Sequence, residues 1–442
     1  MILKNGLLAI GNEIVKKDIL IENGIIKKID TNIQGDDIID ISGKYVVPGG
    51  IDVHTHMNID VGIKSVDDFK SGSIAAAFGG TTTIIDHPGF GPKGCSLHYM
   101  IDKYKKDAKE SYIDYSFHGV IQEISENTYE EMAELKESGI NSFKIYLTYL
   151  YKQNDEEILK IFEIAKKLDV IIAVHAENDM AMEHLKRKFE KENKTDIIYH
   201  SYSRPVEVEA EAVYRLISLA NIIGYEKLYL VHISSAKALE QIEIAKRDGK
   251  KIFVETCPQY LYLDEDNYLK PDGIKYVLSP PLRKEKDRVA LWSGINNGII
   301  DLVGSDHCTF SLKEKEKGRE SFLKCPNGIP GVEERNLLLF SEVLKNKLSV
   351  EKYLNIVTTN PAKIFGLKQK GSIEVGKDAD LVIFEKKESF IDEKLMHSNA
   401  KYSCFDKQKI NCKVDRVYLR GLLIIKDDEL KSLSPEGKNI KR

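Results

Sequence analysis

The stretch Ile51-Asp52-Val53-His54-Thr55-His56 ends an apolar run, residues 45–53, with two histidines. A short apolar run of this kind is typical of a buried strand. In an extended chain, residues two positions apart point to the same side, so both imidazoles can face one metal ion. Two polar histidines at a strand end explain the same pattern equally well. The interpretation therefore depends on the residues that lie at the ends of the other predicted strands.

Four further apolar runs end in, or are followed by, a side chain suited to metal binding or acid–base chemistry. They are 140–144 with Lys144, 170–174 with His175, 228–231 with His232, and 299–303 with Asp306. Side chains at the carboxyl ends of successive strands converge if those strands form a barrel, and the mouth of a (β/α)8 barrel is where its active site lies. The pattern predicts that all of these residues meet His54 and His56 at one barrel mouth.

The middle of the chain alternates between strand and helix patterns with the period of βα units. The predicted strands are 46–54, 81–86, 113–121, 140–145, 170–175, 228–233, 252–256 and 299–306, and the predicted helices are 66–78, 97–109, 128–137, 155–167, 205–223, 236–248 and 286–297. Eight such units predict a (β/α)8 TIM barrel, which we assign to residues 50–369.

Both chain ends have a different character, with short alternating apolar segments separated by turn residues. Asn23-Gly24 is such a turn near the N-terminus, and Gly376-Lys377-Asp378 and Gly421 are turn residues near the C-terminus. Turns of this kind connect antiparallel strands. We predict that residues 1–49 and 370–442 together form one small β-sandwich domain.

Composition excludes several classes of protein. The 442 residues include 65 basic and 69 acidic side chains, for a formal net charge of −4, which gives no sign of a nucleic-acid partner. The apolar runs are far shorter than a membrane span, and the first residues do not resemble a signal peptide, so no membrane association is expected. Six cysteines without CxxC spacing argue against a disulfide framework and favour a cytoplasmic location.

Four imidazoles, one carboxylate and one lysine suit a hydrolytic zinc centre better than a structural zinc site. An ammonium beside two cations is unfavourable, but burial depresses the pKa of a lysine. A neutral Lys144 amine can add carbon dioxide and become an anionic carbamate whose two oxygens bridge two metals. The alternative is a Lys144 ammonium paired with a barrel carboxylate. Taken singly, His175, His232 and Asp306 are equally well explained as structural residues at strand ends.

Longer motifs surround these residues. They include Gly79-Gly80-Thr81-Thr82-Thr83, Ser142-Phe143-Lys144 with Tyr149, Ser203-Arg204-Pro205, Glu255-Thr256-Cys257-Pro258, Leu278-Ser279-Pro280-Pro281, Ser305-Asp306-His307-Cys308 and Asn327-Gly328. In these motifs the chain resembles the amidohydrolase superfamily, and within it the cyclic amidases dihydropyrimidinase and D-hydantoinase. The resemblance covers nearly the whole chain.

The resemblance implies two zinc ions per subunit. It implies that His54, His56 and Asp306 hold the more buried zinc and that His175 and His232 hold the outer one. Lys144, as N6-carboxylysine, and a hydroxide would bridge both ions.

The resemblance also implies the roles of the residues around the substrate. Tyr149 would stabilise the oxyanion, and Asp306 would move the proton from the attacking water to the leaving ring nitrogen. Ser279 and Asn327 would bind the ring through their backbone groups. The family is commonly tetrameric, so a homo-oligomer is expected.

The activity implied is hydrolytic ring opening of 5,6-dihydropyrimidines or 5-substituted hydantoins to N-carbamoyl amino acids. Allantoinase and dihydroorotase are the alternatives within the superfamily. Dihydroorotases usually carry an arginine two residues after the HxH motif, where this chain has Asn58. A non-catalytic scaffold relative is the alternative of another class, but such relatives have lost metal ligands and here all six positions are filled.

Two segments depart from the family pattern. Residues 57–65 are one residue shorter than usual, and the stretch after Tyr149 is trimmed. Because both come directly after predicted ligand-bearing strands, we expect the loops 57–66 and 146–155 to cover the pocket and to determine which ring substituent is preferred.

Overall fold

The computed structural model describes residues 1–442 and contains a barrel in which strands alternate with helices. The barrel strands are Gly50–Thr55, Thr81–Asp86, Asp114–Phe117 continued by Gly119–Val120, Ser142–Tyr146, Ile171–His175, Leu228–Leu230, Ile252–Thr256 and Leu302–Val303. Neighbouring strands pair in parallel. The last strand meets the first because Asp306 N donates to His54 O at 2.9 Å. The predicted (β/α)8 barrel is confirmed.

Helices cover the outside of the barrel. Those of ten or more residues are Phe69–Phe78, Leu97–Asp107, Thr128–Glu137, Asp155–Leu168, Asp179–Lys191, Val206–Ile223, Ala236–Arg247, Glu285–Asn296 and Glu334–Leu344. The first begins later than the predicted residue 66, because the Asp68 side chain accepts from Ser71 N and caps the helix there. Asn154 forms the same reciprocal cap at the start of Asp155–Leu168.

Three predicted strands have other bounds in the structure. The strand predicted over 46–54 is divided, because Tyr45–Pro48 belongs to a sheet outside the barrel and Gly50–Thr55 begins the barrel. The strand predicted over 228–233 ends at Leu230, and His232 has a φ of 41°, which is incompatible with a strand. The strand predicted over 299–306 covers only Leu302–Val303, because the N–H groups of Ile299 and Ile300 donate to Gly294 O and close the preceding helix. At His232 and at Asp306, both predicted site residues, the backbone turns away from the direction of the preceding strand.

The two chain ends form one separate sheet. Its strand order is Glu429–Leu430, Leu422–Lys426, Lys409–Leu419, Leu381–Phe390, Tyr45–Pro48, Ile2–Ile10, Glu13–Glu22 and Ile25–Asp30, with Ile38–Asp40 beside Ile2–Ile10. Leu8, Ile19 and Ile383 belong to its buried apolar core. This sheet confirms a second unit made from both termini, as predicted. The boundaries 49/50 and 369/370 stay a prediction.

The last residues return to the barrel. Tyr115 N donates to Lys438 O and Ile440 N donates to Tyr115 O, so the tail lies along the third barrel strand. The Arg442 guanidinium donates to the hydroxyls of Ser116 and Ser142 at 3.0 and 2.9 Å. The tail therefore fills the space between the third and fourth strands.

A buried ion-pair network joins the barrel to the sheet. The Lys370 ammonium contacts carboxylates of Asp114, Asp378 and Asp380, and Asp114 also accepts from Arg420. Because Asp114 lies in a barrel strand and Asp380 directly precedes a sheet strand, these contacts hold the two units together. No helix in the structure has both the length and the apolar character needed to cross a membrane.

Candidate functional site

His54, His56 and Asp306 form a tight cluster at the carboxyl ends of the first and last barrel strands. Asp306 Oδ1 lies 3.2 Å from His54 Nε2 and 3.3 Å from His56 Nε2. The two imidazoles face the same side, as the alternation of an extended strand predicts. The metal-ligand atoms of the three side chains all lie within 4.8 Å of one another, so one ion can contact all of them.

His175 and His232 lie beside this cluster. Their ring centroids are 4.6 Å apart, and the His232 ring lies 5.5 Å from that of His54. Both His232 and Asp306 have left-handed backbone, with φ of 41° and 54°. Left-handed backbone is costly for residues other than glycine and concentrates at functional sites. At His232 and Asp306 the left-handed backbone accompanies the turn of the side chain toward the centre of the site.

Lys144 is buried in the fourth strand, with 1% of its surface exposed. No carboxylate oxygen lies within 4.0 Å of its Nζ, so the structure does not contain the ion pair considered as an alternative. Its Nζ instead lies 5.3 Å from the centre of the Tyr146 ring. Burial lowers the pKa of Lys144 to about 8, which makes the neutral amine accessible near neutral pH.

The chemistry of these side chains fits a bound cation. His54 Nε2 and His232 Nδ1 are buried and lack a hydrogen-bond partner. Burial lowers the pKa of His54, His175 and His232, which favours the neutral imidazole that metals bind. Burial raises the pKa of Asp306, but the nearby imidazoles outweigh it and bring the pKa below its ordinary value. Buried nitrogen atoms without a partner are rare unless a ligand completes them.

Glu255, whose role the sequence does not reveal, supports two of the candidate ligands at once. Its Oε1 accepts from His54 Nδ1 at 2.6 Å and from the backbone N–H of His232 at 2.9 Å, and its Oε2 accepts from the Tyr229 hydroxyl. A carboxylate on the far nitrogen of a ligating imidazole sets the tautomer and the ring orientation. Glu255 therefore directs His54 Nε2 toward the centre.

His175 has an ionic support of its own. Its Nε2 lies 2.8 Å from Glu177 Oε2, and Glu177 is also bound by the buried Arg204 guanidinium. Burial alone would raise the pKa of Glu177, but Arg204 and His175 bring it well below its ordinary value. The Ser203-Arg204-Pro205 motif thus acts on the site through Glu177.

His118 lies one layer deeper and supports the first strand. Its Nε2 is 2.9 Å from Val53 O, which can only accept, so Nε2 carries the proton and Nδ1 accepts from the Ser142 hydroxyl at 2.7 Å. The pairing of this strand with the next one is irregular between Asp52 and Thr55. His118 thus binds the irregular segment that carries His54. Its ring also stacks on His87, at 3.9 Å between centroids.

A cavity of about 810 Å³ opens above the histidines and contains every residue predicted from the sequence for this site. They are His54, His56, Lys144, Tyr149, His175, His232, Ser279, Asp306 and Asn327. Desolvation of its hydroxyl raises the pKa of Tyr149 to about 12, so the group remains a hydrogen-bond donor near neutral pH. Both predicted pocket loops contribute apolar side chains, among them Val61 and Leu150.

Residues 45–424 match the amidohydrolase family. The chain belongs to this family. It is 43% identical to the D-phenylhydantoinase of Escherichia coli O81 (strain ED1a) over 451 aligned positions, which cover 100% of this chain and 98% of that protein. The predicted membership in the hydantoinase and dihydropyrimidinase branch is confirmed by this relative.

Solved structures agree with the sequence relationship. A D-hydantoinase crystal structure superposes with a TM-score of 0.96 at 39% identity, and the dihydropyrimidinase from Brevibacillus agri NCHU1002 superposes with a TM-score of 0.97 at 38% identity. Each match covers 100% of this chain and 98% of the other. The whole chain therefore shares the two-unit architecture of these enzymes.

We predict that Glu255→Gln weakens metal binding. The amide keeps the size of the side chain but places a donor among groups that donate to Glu255. Loss of a hydrogen-bond partner behind a metal ligand typically reduces affinity about 10–100-fold. Zinc affinity measured by chelator competition checks this, with the exposed Glu243→Gln as control. Unchanged affinity in both variants contradicts the assigned role of Glu255.

Proposed function

We propose that this protein is a metal-dependent cyclic amidohydrolase that opens 5,6-dihydropyrimidines or 5-substituted hydantoins to N-carbamoyl amino acids. The reaction adds one water across a ring amide: the C–N bond breaks, the carbonyl carbon gains the hydroxyl group and becomes a carboxylic acid that ionises to the carboxylate, and the ring nitrogen gains the other proton. The observation that carries the proposal is the meeting of all nine predicted residues in one cavity of an amidohydrolase-family chain. The hydantoinase and dihydropyrimidinase relatives support the same substrate class.

The metal centre in this proposal contains two zinc ions. His54, His56 and Asp306 would hold the deeper ion, His175 and His232 would hold the outer ion, and Lys144, once carbamylated, would supply oxygen ligands to the pair. Bound divalent cations acidify water and polarise a carbonyl group. The buried Lys144 amine, which has no carboxylate within 4.0 Å, supports the carbamate, because a carbamate would remove a buried positive charge and supply two oxygen ligands.

The remaining residues act on the substrate directly. Asp306 accepts a proton from the attacking water and delivers it to the departing ring nitrogen. The Tyr149 hydroxyl donates to the carbonyl oxygen as negative charge develops there. The backbone groups of Ser279 and Asn327 pair with the donors and acceptors of the cyclic amide. This division leaves the ring substituent to the loops 57–66 and 146–155.

The cavity contacts favour a neutral ring over dihydroorotate. Met57 and Asn58 have uncharged side chains, so neither supplies a cation for a substrate carboxylate. Met57 is also buried, and the Asn58 amide donates to Asp107 at 2.7 Å. The lysine at the rim, Lys324, is exposed and paired with Glu320 at 2.6 Å. Allantoinase activity is tested with allantoin itself as a substrate. The complete set of ligand positions argues against a non-catalytic scaffold.

We also propose a cytoplasmic homo-oligomer, as the family resemblance implies. All six cysteines are free, which supports a reducing compartment. Light scattering on the purified protein distinguishes a tetramer from a smaller assembly.

A substrate panel is the decisive experiment. Dihydrouracil, dihydrothymine, hydantoin, phenylhydantoin, allantoin and dihydroorotate are each assayed for ring opening with the zinc-loaded protein. We expect the dihydropyrimidines and hydantoins to be opened far faster than dihydroorotate, because Lys144 would be carbamylated and the other lysine of the cavity, Lys324, is paired with Glu320. Efficient opening of dihydroorotate or allantoin alone would place the protein in another branch.

We predict that Lys144→Ala loses both metals and the activity, because the variant lacks both bridging oxygens. Short carboxylic acids should restore part of the metal content and part of the activity by occupying the position of the missing carbamate. Elemental analysis and turnover measure the two effects, and the exposed Lys160→Ala serves as control. An unmodified Lys144 beside two bound metals in a crystal structure is the result that refutes the carbamate.

We predict that Tyr149→Phe lowers turnover roughly 10²–10³-fold, the typical effect of losing one oxyanion donor. Its zinc content should equal that of the wild type, since no ligand is removed. Tyr151→Phe is the matched control, because it removes a hydroxyl from the same cavity. A near-normal rate for Tyr149→Phe would exclude this tyrosine from the reaction.

A further inference from the structure

Lys315 is a fully buried lysine outside the metal centre, with none of its surface exposed. It ends the short helix Leu312–Lys315, which Ser311 and Glu314 cap reciprocally. Its Nζ donates to Val277 O at 2.9 Å and to Pro326 O at 3.0 Å. These two carbonyls belong to different loops that are far apart in the sequence. One ammonium thus connects two distant segments.

The burial of this charge is not compensated by an anion. No carboxylate oxygen lies within 4.0 Å of Lys315 Nζ, and burial lowers its pKa. Burying a cation without a counter-ion is unfavourable, and an apolar side chain of similar volume generally stabilises such a site better. The two carbonyl contacts therefore point to a positional role.

The connected segments are those that carry the two residues assigned to ring binding. Val277 precedes Ser279 by two positions, and Pro326 directly precedes Asn327. Gly328 N also donates to Val277 O at 3.0 Å, so the two loops contact each other directly. Both Ser279 and Asn327 line the cavity, whereas Lys315 does not. Lys315 therefore lies behind the part of the cavity wall that Ser279 and Asn327 form.

We propose that Lys315 is a positioning residue that fixes the spacing between the two ring-binding segments and thereby determines affinity for the cyclic amide. This inference rests on the proposed function, because that function gives Ser279 and Asn327 their role. A cyclic amide presents donors and acceptors at fixed separations. A change in the spacing of the two backbones therefore weakens ground-state and transition-state binding together. The expected signature is a higher KM with little change in kcat.

The test compares Lys315→Met, Lys315→Arg and the control Lys246→Met. Lys246 also donates to a backbone carbonyl, Ile299 O at 2.8 Å, but before the last barrel strand and far from the ring-binding loops. For the best substrate of the panel, we expect Lys315→Met to raise KM at least about tenfold, since it removes two charge-assisted hydrogen bonds. We expect kcat to change less than about threefold and zinc content to stay constant. Lys315→Arg should recover part of the affinity, and Lys246→Met should leave KM unchanged.

Amide hydrogen exchange gives a readout that does not depend on activity. Lys315→Met should speed exchange in segments 277–279 and 327–329 and leave the metal-bearing strands protected. If Lys315→Met does not fold, Lys315→Gln replaces it in both measurements. An unchanged KM together with unchanged exchange in these segments overturns the inference, as does an equal rise of KM in Lys246→Met. A wild-type protein that opens no ring refutes the proposed function instead, and the exchange experiment then still decides whether Lys315 fixes the two loops.

Discussion

The site depends on one buried carboxylate. Glu255 lies in the seventh barrel strand and binds His54 from the first strand and the His232 backbone after the sixth. Its burial raises its pKa to about 7, while hydrogen bonds from Tyr229 and His232 favour the ionised form. A buried carboxylate is tolerated when its oxygens are satisfied, as they are here. Because one side chain contacts candidate ligands from separate strands, the relative placement of His54 and His232 depends on Glu255.

The sequence predicted the site residues that occur in the same place in successive βα units, namely at the ends of the strands. Each candidate ligand comes at the end of an apolar run, and the period of the βα units places those runs side by side in a barrel, so His54, Lys144, His175 and Asp306 could be assigned together. Glu255 carried no comparable signal, because its role depends on contacts across the barrel from residues 201 and 23 positions away. The left-handed backbone at His232 was also missed, since a strand pattern in the sequence cannot show where the chain turns out of the strand.

The two sides of the cavity are built differently. The side with the candidate metal ligands consists of buried side chains that other side chains support, namely Glu255, Glu177 and His118. In our proposal the ring-binding side presents backbone groups of Ser279 and Asn327, and Lys315, whose Nζ donates to Val277 O and Pro326 O, sets their spacing. The loops above both sides are less constrained: Leu150 and Val61 expose 79% and 57% of their surface while lining the cavity. In our proposal, substitutions in these loops therefore change the substituent preference without disturbing the candidate metal ligands.

Four buried cations show what is unusual about Lys144. Lys370 contacts three carboxylates, Arg204 contacts Glu177, and Lys315 donates to two carbonyls. The Lys144 ammonium has no carboxylate within 4.0 Å and no hydrogen-bond acceptor, although it lies among the histidines of the site. Burial lowers the pKa of Lys144 although the more distant carboxylates of Asp306 and Glu255 oppose this effect, and bound cations would disfavour the protonated amine further. Neutralisation alone would leave an amine without a partner, whereas a carbamate would both remove the charge and provide the ligands that the neighbouring imidazoles leave open to a second ion. The burial of Lys144 without a close carboxylate is therefore the structural observation that supports the proposed carbamate.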